Sequence, residues 1–138
     1  MATLIESLNA NDKFAQSIGI QLTEVREGYA KAEVSVEGKH LNAAGVCHGG
    51  VIFTLADLAF AAVCNCRGIV SLGINNNITY IKSGELGDHL TAECQELVNH
   101  YKLPYYNVTV KNQNGDTLAM MTAMGYRTKR EMPFSSLM

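Results

Sequence analysis

One acidic side chain, Asp57, lies in the middle of the apolar run from Val51 to Cys64. On a helix, the neighbours three and four positions away are Phe53, Thr54, Phe60 and Ala61. None is basic, and an ionised carboxylate buried without a partner is costly. Asp57 is therefore a candidate for chemistry. The alternative is that it hydrogen-bonds backbone amides of a neighbouring element and fixes the register of two subunits.

The segment His48-Gly49-Gly50 directly precedes this apolar run. Glycines permit close approach of the backbone, and the first N–H groups of a helix point outward with the positive end of the dipole. Such a helix start can hold an oxyanion. The alternative is a tight loop that leads into the helix.

The pattern of the remaining chain predicts the elements that position these residues. Apolar positions from Thr3 to about Ala15 follow a helical spacing, and two alternating segments predict strands near residues 18–22 and 30–36. The run 51–64 is apolar on nearly every side, so the helix should be wrapped by the rest of the protein. Four further strands are predicted at residues 70–81, 90–97, 105–111 and 118–126, with Asn114-Gly115 as a hairpin turn. This order predicts an α+β fold in which an antiparallel sheet curls around one helix.

Length and composition exclude several classes of protein. The chain has 138 residues, 47% of them hydrophobic, which fits a single domain over 1–138 with an N-terminal helix at 1–16 and a flexible tail at 129–138. The net charge is -2 and no long basic run occurs, so nucleic acid is not expected as a partner. No signal peptide and no apolar stretch of about 20 residues is present, which predicts a cytoplasmic protein that does not cross a membrane. The spacing of the four cysteines favours reduced thiols in a core.

The stretch from His40 to Ala61, with Asn42, His48-Gly49-Gly50 and Leu55-Ala56-Asp57, resembles the signature of the phenylacetate-pathway (PaaI-type) thioesterases of the hotdog superfamily. Residues 77–84 and Gly87-Asp88 are similar to the family's strand and turn, so the resemblance extends from about residue 18 to residue 126. It implies a hotdog fold, with an antiparallel sheet around one long central helix. It also implies an acyl-CoA thioesterase that acts on an aromatic or medium- to long-chain acyl group.

The resemblance also implies roles for single residues. Asp57 corresponds to the family's catalytic carboxylate, which is either a general base toward water or a nucleophile. Gly49 corresponds to the residue whose N–H polarises the thioester carbonyl. Asn42 and His48 correspond to residues that orient the reacting groups, and Gly50 is expected to contact the substrate.

Two positions depart from the family pattern. Ala61 lacks a hydroxyl that some relatives carry, and Gly73 stands where others have a serine that helps to hold water. Ser71 or Asn75 is expected to substitute for that serine, so residues 71, 73 and 75 are assigned to the substrate-binding region.

The coenzyme A end of such a substrate is negatively charged and needs a few cations. Lys82 is the first candidate, and the others are Arg67, Arg127, Lys129 and Arg130. For each of them a solvated surface charge is the simpler interpretation. No cofactor and no metal are expected, because thioesters are already activated.

Gly49 and Asp57 are eight residues apart, which places them about 12 Å apart along a helix and about 80° apart around it. Both cannot reach one carbonyl from the same chain, since a base and an oxyanion donor must each lie within about 3 Å of the reacting group or one water away. If both roles are real, the two residues come from antiparallel helices across a twofold axis. This predicts a homodimer with two equivalent sites. A dimer of dimers is expected as the full assembly, although the geometry of the site requires only the dimer.

Other functions fit parts of the sequence. An acyl-CoA sensor needs the fold without catalysis, and a hydratase would need Asp57 paired with His48. Cys47-His48 suggests a thiolate nucleophile, but adjacent side chains in an extended loop usually point apart. His40, Cys47 and His48 could bind a metal, although no fourth ligand stands at a standard interval.

Overall fold

The computed structural model describes all 138 residues of the chain. The elements in chain order are helices α1 (Leu4–Asn11) and α2 (Lys13–Ser17), strands β1 (Gln21–Arg26) and β2 (Tyr29–Ser35), a 3-10 turn (Gly38–His40), helix α3 (Gly49–Cys64), and strands β3 (Ile69–Tyr80), β4 (His89–Val98), β5 (Tyr105–Lys111) and β6 (Thr117–Glu131). The predicted central helix and all six predicted strands are present.

The six strands form one antiparallel sheet in the order β1-β2-β4-β5-β6-β3, and α3 packs against strands across its width. Strand β2 explains how the sequence builds this arrangement, because Ala30, Ala32 and Val34 are buried toward the core while the residues between them are not. Ten of the sixteen residues of α3 are buried. The predicted α+β architecture, a sheet around one central helix, is therefore confirmed.

The N-terminal segment forms two helices rather than the single helix predicted to residue 16. Asp12 interrupts the helical stripe, because its backbone lies outside the helical region and its carboxylate accepts a hydrogen bond from the Ala15 N–H at 3.1 Å. Asp12 thus ends α1 and caps α2. The first strand begins at Gln21, after this second helix, and not at residue 18.

The last ten residues are not the free tail that was expected. Strand β6 continues to Glu131, which pairs with Ile69, and the chain then crosses the start of α1. The carbonyls of Ser136 and Leu137 accept hydrogen bonds from the N–H groups of Leu4 and Ile5, at 2.8 and 3.1 Å. The first N–H groups of a helix have no partner within the helix, and the tail supplies acceptors for two of them.

Strand β3 lies at an edge of the sheet and is open along most of its length. It pairs only with β6, so the backbone groups on its other side have no partner strand. Large apolar side chains on β3 are exposed, including Leu72 at 59% and Ile74 at 54%. A long, apolar, unprotected edge strand is a surface prepared for pairing with another strand.

All four cysteines are buried free thiols, as the sequence indicated. None of the helices combines the length and apolar character that a membrane crossing requires.

Candidate active site

The first turn of α3 offers one unpaired backbone donor. The Gly50 N–H donates to Nδ1 of His48 at 2.8 Å, and the N–H groups of Val51 and Ile52 donate to the His48 carbonyl at 2.9 and 3.4 Å. Only the Gly49 N–H lacks an acceptor. Because it stands at the positive end of a sixteen-residue helix, it is suited to hold an oxygen that carries negative charge.

Tyr80, at the end of β3, fixes the position of this turn. Its hydroxyl donates to the Gly49 carbonyl at 3.0 Å, and burial raises the pKa of Tyr80, which keeps the donor proton in place. A Cβ at Gly49 would lie 3.3 Å from the Tyr80 ring, and one at Gly50 would lie 2.9 Å from the His48 ring. A side chain at either position would therefore require one of these rings to shift. Sequence reasoning did not find Tyr80, because an aromatic residue at a strand end carries no distinctive signal.

The two histidines near this turn have different environments. His40 is buried, accepts the Glu37 N–H through Nδ1 at 2.9 Å, and contacts the Ile18 carbonyl through Nε2 at 2.7 Å. Both ring nitrogens are thus occupied in holding the loop to the N-terminal segment. His48 is exposed and uses Nδ1 as an acceptor, so Nε2 carries the proton and stays available to a ligand.

Asn42 shapes the loop in front of α3. Its Oδ1 accepts hydrogen bonds from the N–H groups of Ala44 and Val46, at 3.0 and 3.3 Å. With Gly49 and Lys82, Asn42 lines a pocket of about 270 Å³ at the start of the helix. The structure therefore brings together three of the predicted residues, 42, 49 and 82, with His48 adjacent in the chain.

Asp57 lies two turns further along α3 and is half-buried. It belongs to the open stripe of the helix, which the sheet leaves at least partly accessible and which passes through Gly50, Thr54, Asp57 and Ala61. Its one side-chain partner is Asn76 of β3, whose Nδ2 donates to Oδ1 of Asp57 at 3.3 Å. Burial raises the pKa of the Asp57 carboxyl above its ordinary value. The Asn76 hydrogen bond opposes this rise, and the negative charge of Asp12 adds to it. No cation neutralises the group, as the sequence indicated.

The residues predicted to replace the missing serine lie elsewhere. Ser71 is buried, and its N–H donates to Oδ1 of Asn65 at 2.8 Å, while Asn75 is exposed. A Cβ at Gly73 would lie 2.9 Å from the Phe60 ring, so that ring occupies the space. Neither Ser71 nor Asn75 hydrogen-bonds to Asp57, so the subunit does not bring either of them to this carboxylate.

The physical reason is a bulge in β3. The register with β6 shifts between Gly73 and Asn75, so one extra residue stands on β3. Strict alternation would place residue 75 on the same face as residues 71 and 73. The bulge reverses the alternation, and Asn76 faces α3 instead.

Lys82 is the one predicted cation that lies at the pocket in front of α3. It forms a 2.6 Å ion pair with Asp116 and lines the pocket with Asn42 and Gly49. Arg67 follows the opposite end of α3 and is held by Glu27 and Glu96. The remaining predicted cations, Arg127, Lys129 and Arg130, are on β6 near the start of β3.

The thiolate hypothesis for Cys47 is not supported. Cys47 is buried and its Sγ lies 3.7 Å from the His48 carbonyl rather than against the imidazole ring. Burial raises the pKa of the Cys47 thiol to about 11, so the thiolate is scarce at neutral pH.

A second histidine constellation lies on the outer face of the sheet. His89 contacts Glu33 through Nε2 at 2.7 Å and Ser35 through Nδ1 at 3.2 Å. The cluster consists of side chains on the face of the sheet away from α3, and it shares no residue with the pocket at the start of that helix.

Comparison with known proteins gives consistent matches. Residues 44–119 match the family model described as thioesterase superfamily. An Archaeoglobus fulgidus protein that carries an esterase name is 42% identical over 126 residues, which cover 91% of this chain and 82% of that protein. Escherichia coli acyl-coenzyme A thioesterase PaaI is 33% identical over 117 residues, 85% of this chain and 84% of its own length.

Solved structures agree with the sequence matches. The structure of the E. coli PaaI protein superposes with a TM-score of 0.89 at 30% identity and covers 93% of both chains. A Streptococcus mutans protein bound to acetyl CoA superposes with a TM-score of 0.78 at 29% identity, over 82% of this chain and 91% of that one.

Proposed function

The chain belongs to the thioesterase superfamily, and we propose that it hydrolyses an acyl-coenzyme A to the free acid and coenzyme A. The resemblance to the PaaI-type family and the hotdog fold are confirmed by the sequence and structure matches. The protein is accordingly a thioester hydrolase. We further propose which residues perform the reaction, which assembly completes the site, and which class of acyl group is bound.

A single observation supports the mechanism. The open stripe and first turn of α3 present one unpaired N–H, at Gly49, and one uncompensated carboxylate, at Asp57. In the proposed reaction Asp57 takes a proton from water while the water oxygen bonds to the thioester carbon. The carbonyl oxygen becomes negative and is stabilised by the Gly49 N–H. The carbon–sulfur bond then breaks, and the thiolate of coenzyme A takes up the proton that Asp57 holds. This scheme uses no metal and no cofactor.

Two copies of the chain are needed to complete this site. Asp57 and Gly49 remain two turns apart on one straight helix, about 12 Å along its axis. The open edge of β3 supplies the contact, because two such edges paired antiparallel would form one continuous sheet. We propose that Gly49 of one subunit then faces Asp57 of the partner subunit. Phe53 stands midway between the two positions and would lie at the twofold axis.

A dimer of dimers is a further part of the proposal. The outer face of the sheet exposes Leu97 and Met120 beside a shallow pocket of about 350 Å³ that also includes Asn77. Because this face lies away from α3, it is free to pack against another dimer without covering the proposed site.

The acyl group has an apolar groove of about 520 Å³ available beside the first turns of α3. Helix α2 forms one wall and the 39–41 loop forms the floor. The apolar lining residues are Phe14, Ile18, Leu41, Val51, Phe53 and Tyr80. The groove includes His48 and Gly50, so it opens next to the proposed oxyanion donor. We propose an uncharged apolar acyl group, either aromatic or of medium to long chain, as the substrate class.

The decisive experiment incubates the protein with acetyl-, octanoyl- and phenylacetyl-CoA and follows release of free thiol. We expect hydrolysis of octanoyl- and phenylacetyl-CoA that Asp57→Ala abolishes, and their relative rates distinguish an alkyl from an aryl preference. Tight binding without thiol release would instead indicate a sensor, and hydration of an enoyl-CoA would indicate a hydratase. Hydrolysis that persists in Asp57→Ala would contradict the mechanism.

The groove is tested by Phe14→Ala, because Phe14 is 65% exposed and stands at the wall formed by α2. We expect kcat/KM for octanoyl- or phenylacetyl-CoA to fall about tenfold relative to acetyl-CoA, since an apolar contact with the acyl group is lost. Tyr101→Ala, which removes an aromatic side chain 79% exposed and outside the groove, is the matched control. An equal loss for all three substrates would contradict the assignment.

The assembly is tested by Ile74→Lys, which places a charge on the open edge of β3. We expect light scattering to show an assembly smaller than that of the wild type, because the edge contact is lost, and we expect thiol release to be lost with it. Leu86→Lys, at an exposed apolar position in the β3–β4 loop, should change neither. A fully active monomer would contradict the shared site.

A further inference from the structure

The side-chain amide of Asn76 has one hydrogen bond and one unpaired atom. Its Nδ2 donates to Asp57, whereas its Oδ1 is buried and has no hydrogen-bond partner. A buried acceptor without a partner lowers stability, and such an atom in a folded protein needs an explanation. The explanation should involve Asp57, because that is the only side chain to which the amide is bonded.

The protonation state of Asp57 determines which amide atom faces it. An ionised carboxylate can only accept hydrogen bonds, so Nδ2 must point toward it. A protonated carboxyl group carries an O–H that needs an acceptor. Rotation of the amide by half a turn would bring the Oδ1 of Asn76 to that O–H, and no other bond of Oδ1 would be broken by the rotation.

We propose that Asn76 is the positioning residue of Asp57 and serves both of its protonation states, donating through Nδ2 to the carboxylate and accepting through Oδ1 from the carboxyl O–H. This inference rests on the proposed function. During hydrolysis Asp57 gains a proton from water and later gives it to the leaving thiolate. Asn76 keeps the carboxyl group in one orientation through both transfers.

The surroundings of Asp57 leave this task to Asn76. On its own helix the neighbours are Phe53, Thr54, Phe60 and Ala61, and the Thr54 hydroxyl donates to the Gly50 carbonyl at 2.7 Å. The only charged side chain that affects Asp57 is Asp12, which has the same sign.

The packing around Gly73 explains why a residue at position 76, and not one at position 73, hydrogen-bonds to Asp57. A Cβ at Gly73 would lie 3.9 Å from Nδ2 of Asn76, but only 2.9 Å from the Phe60 ring. A side chain at residue 73 would have to displace that ring. The longer asparagine side chain, placed on the inner face by the bulge, reaches Asp57 with its Nδ2 at 3.3 Å from Oδ1.

The test compares Asn76→Leu, Asn76→Ser and Asn77→Leu in the full-length protein. Leucine keeps the shape of the side chain but removes donor and acceptor, whereas serine has both in a shorter side chain. Asn77 is the matched control, because it is the same residue type on the same strand, exposed on the outer face.

We expect Asn76→Leu to lower kcat on the order of tenfold to a hundredfold with little change in KM, because the base loses its orientation. The acid limb of the pH–rate profile should move to higher pH, because the lost hydrogen bond to the ionised carboxylate is charge-assisted, is stronger than the bond to the protonated form, and had lowered the pKa of Asp57. Asn76→Ser should have a kcat between those of Asn76→Leu and wild type, and the pH of its acid limb should also lie between theirs. Asn77→Leu should keep the wild-type kcat and acid limb, because residue 77 lies on the outer face of the sheet, away from Asp57.

A purely structural role would lower the unfolding temperature of Asn76→Leu without moving the acid limb, and that result would overturn the inference. Wild-type kcat in Asn76→Leu would overturn it as well. Failure of the proposed function is distinguishable, because it would appear as thiol release that does not depend on Asp57 in the wild-type background.

Discussion

The two faces of helix α3 have opposite character. The face toward the sheet is apolar, and Leu55, Ala56, Ala59 and Ala62 on it are fully buried. The open stripe passes through Gly50, Thr54, Asp57 and Ala61, which are at least partly accessible. The buried face stabilises the fold through its total apolar area, whereas the open stripe presents single polar atoms.

Within this one helix, the buried face contributes to the stability of the fold and the open stripe carries the groups proposed for catalysis. On the buried face, what matters is volume and hydrophobicity, and the chain could exchange one apolar residue for another of similar size. On the open stripe, Asp57 reduces stability at neutral pH because burial disfavours its charge. Substitutions on the two faces should therefore change different quantities.

The largest effect is expected from Asp57→Asn. The amide has the size of the carboxylate but cannot take a proton from water, so thiol release should fall by about 10²–10⁴-fold. The same change should raise the unfolding temperature at pH 8, because it removes a charge that burial disfavours.

The pH dependence of that stability gain is set by the sign of the pKa shift. The pKa of Asp57 is higher in the folded than in the unfolded protein, so its contribution to stability is complete below the unfolded pKa of about 4 and is lost as the pH rises through the folded pKa. The advantage of Asp57→Asn should thus shrink as the pH falls toward 4. Thermal unfolding at several pH values measures it, and a variant less stable than wild type at pH 8 would contradict it.

Leu55→Ala should have the opposite effect to Asp57→Asn: it should lower stability and leave activity nearly unchanged. Removal of a fully buried side chain from the sheet-facing side should cost about 2–5 kcal/mol of unfolding free energy. Activity per folded molecule should change little, since residue 55 faces away from the proposed site. Urea unfolding and thiol release, measured at a temperature where the variant is folded, check this. Val51→Ala is a less suitable choice because that side chain also lines the groove.

The buried face and the strands could be predicted because they depend on periodic apolar patterns. The alternation of Ala30, Ala32 and Val34 and the apolar run of α3 were correct to within about two residues. Asp12 and the C-terminal tail were not predictable in this way. A single cap residue and backbone bonds between the two chain ends leave no periodic signal.

The site could be predicted only in part, because a residue is recognisable in the sequence when it interrupts an apolar pattern or belongs to a short motif. Asp57 and Gly49 are conspicuous, since one is an acid in an apolar helix and the other belongs to a glycine pair at its start. Asn76 and Tyr80 act through contacts that depend on a β-bulge and on the approach of β3 to α3. The resemblance to the family pointed to residues 71 and 75, whereas the observed register of β3 places Asn76 beside Asp57.

The smallest effect is expected from Asp12→Asn, which tests whether a charge outside α3 changes the pKa of Asp57 on the open stripe. Asparagine can still cap α2, so the fold should be retained. Loss of the negative charge should lower the pKa of Asp57 and move the acid limb of the pH–rate profile to lower pH by a fraction of a unit. Glu131→Gln, an exposed acid that does not affect Asp57, should leave the limb in place. A limb that moves to higher pH in Asp12→Asn would contradict this prediction. It would show that the charge of Asp12 does not raise the pKa of Asp57, and that groups other than Asp12 set the electrostatic difference between the two faces of α3.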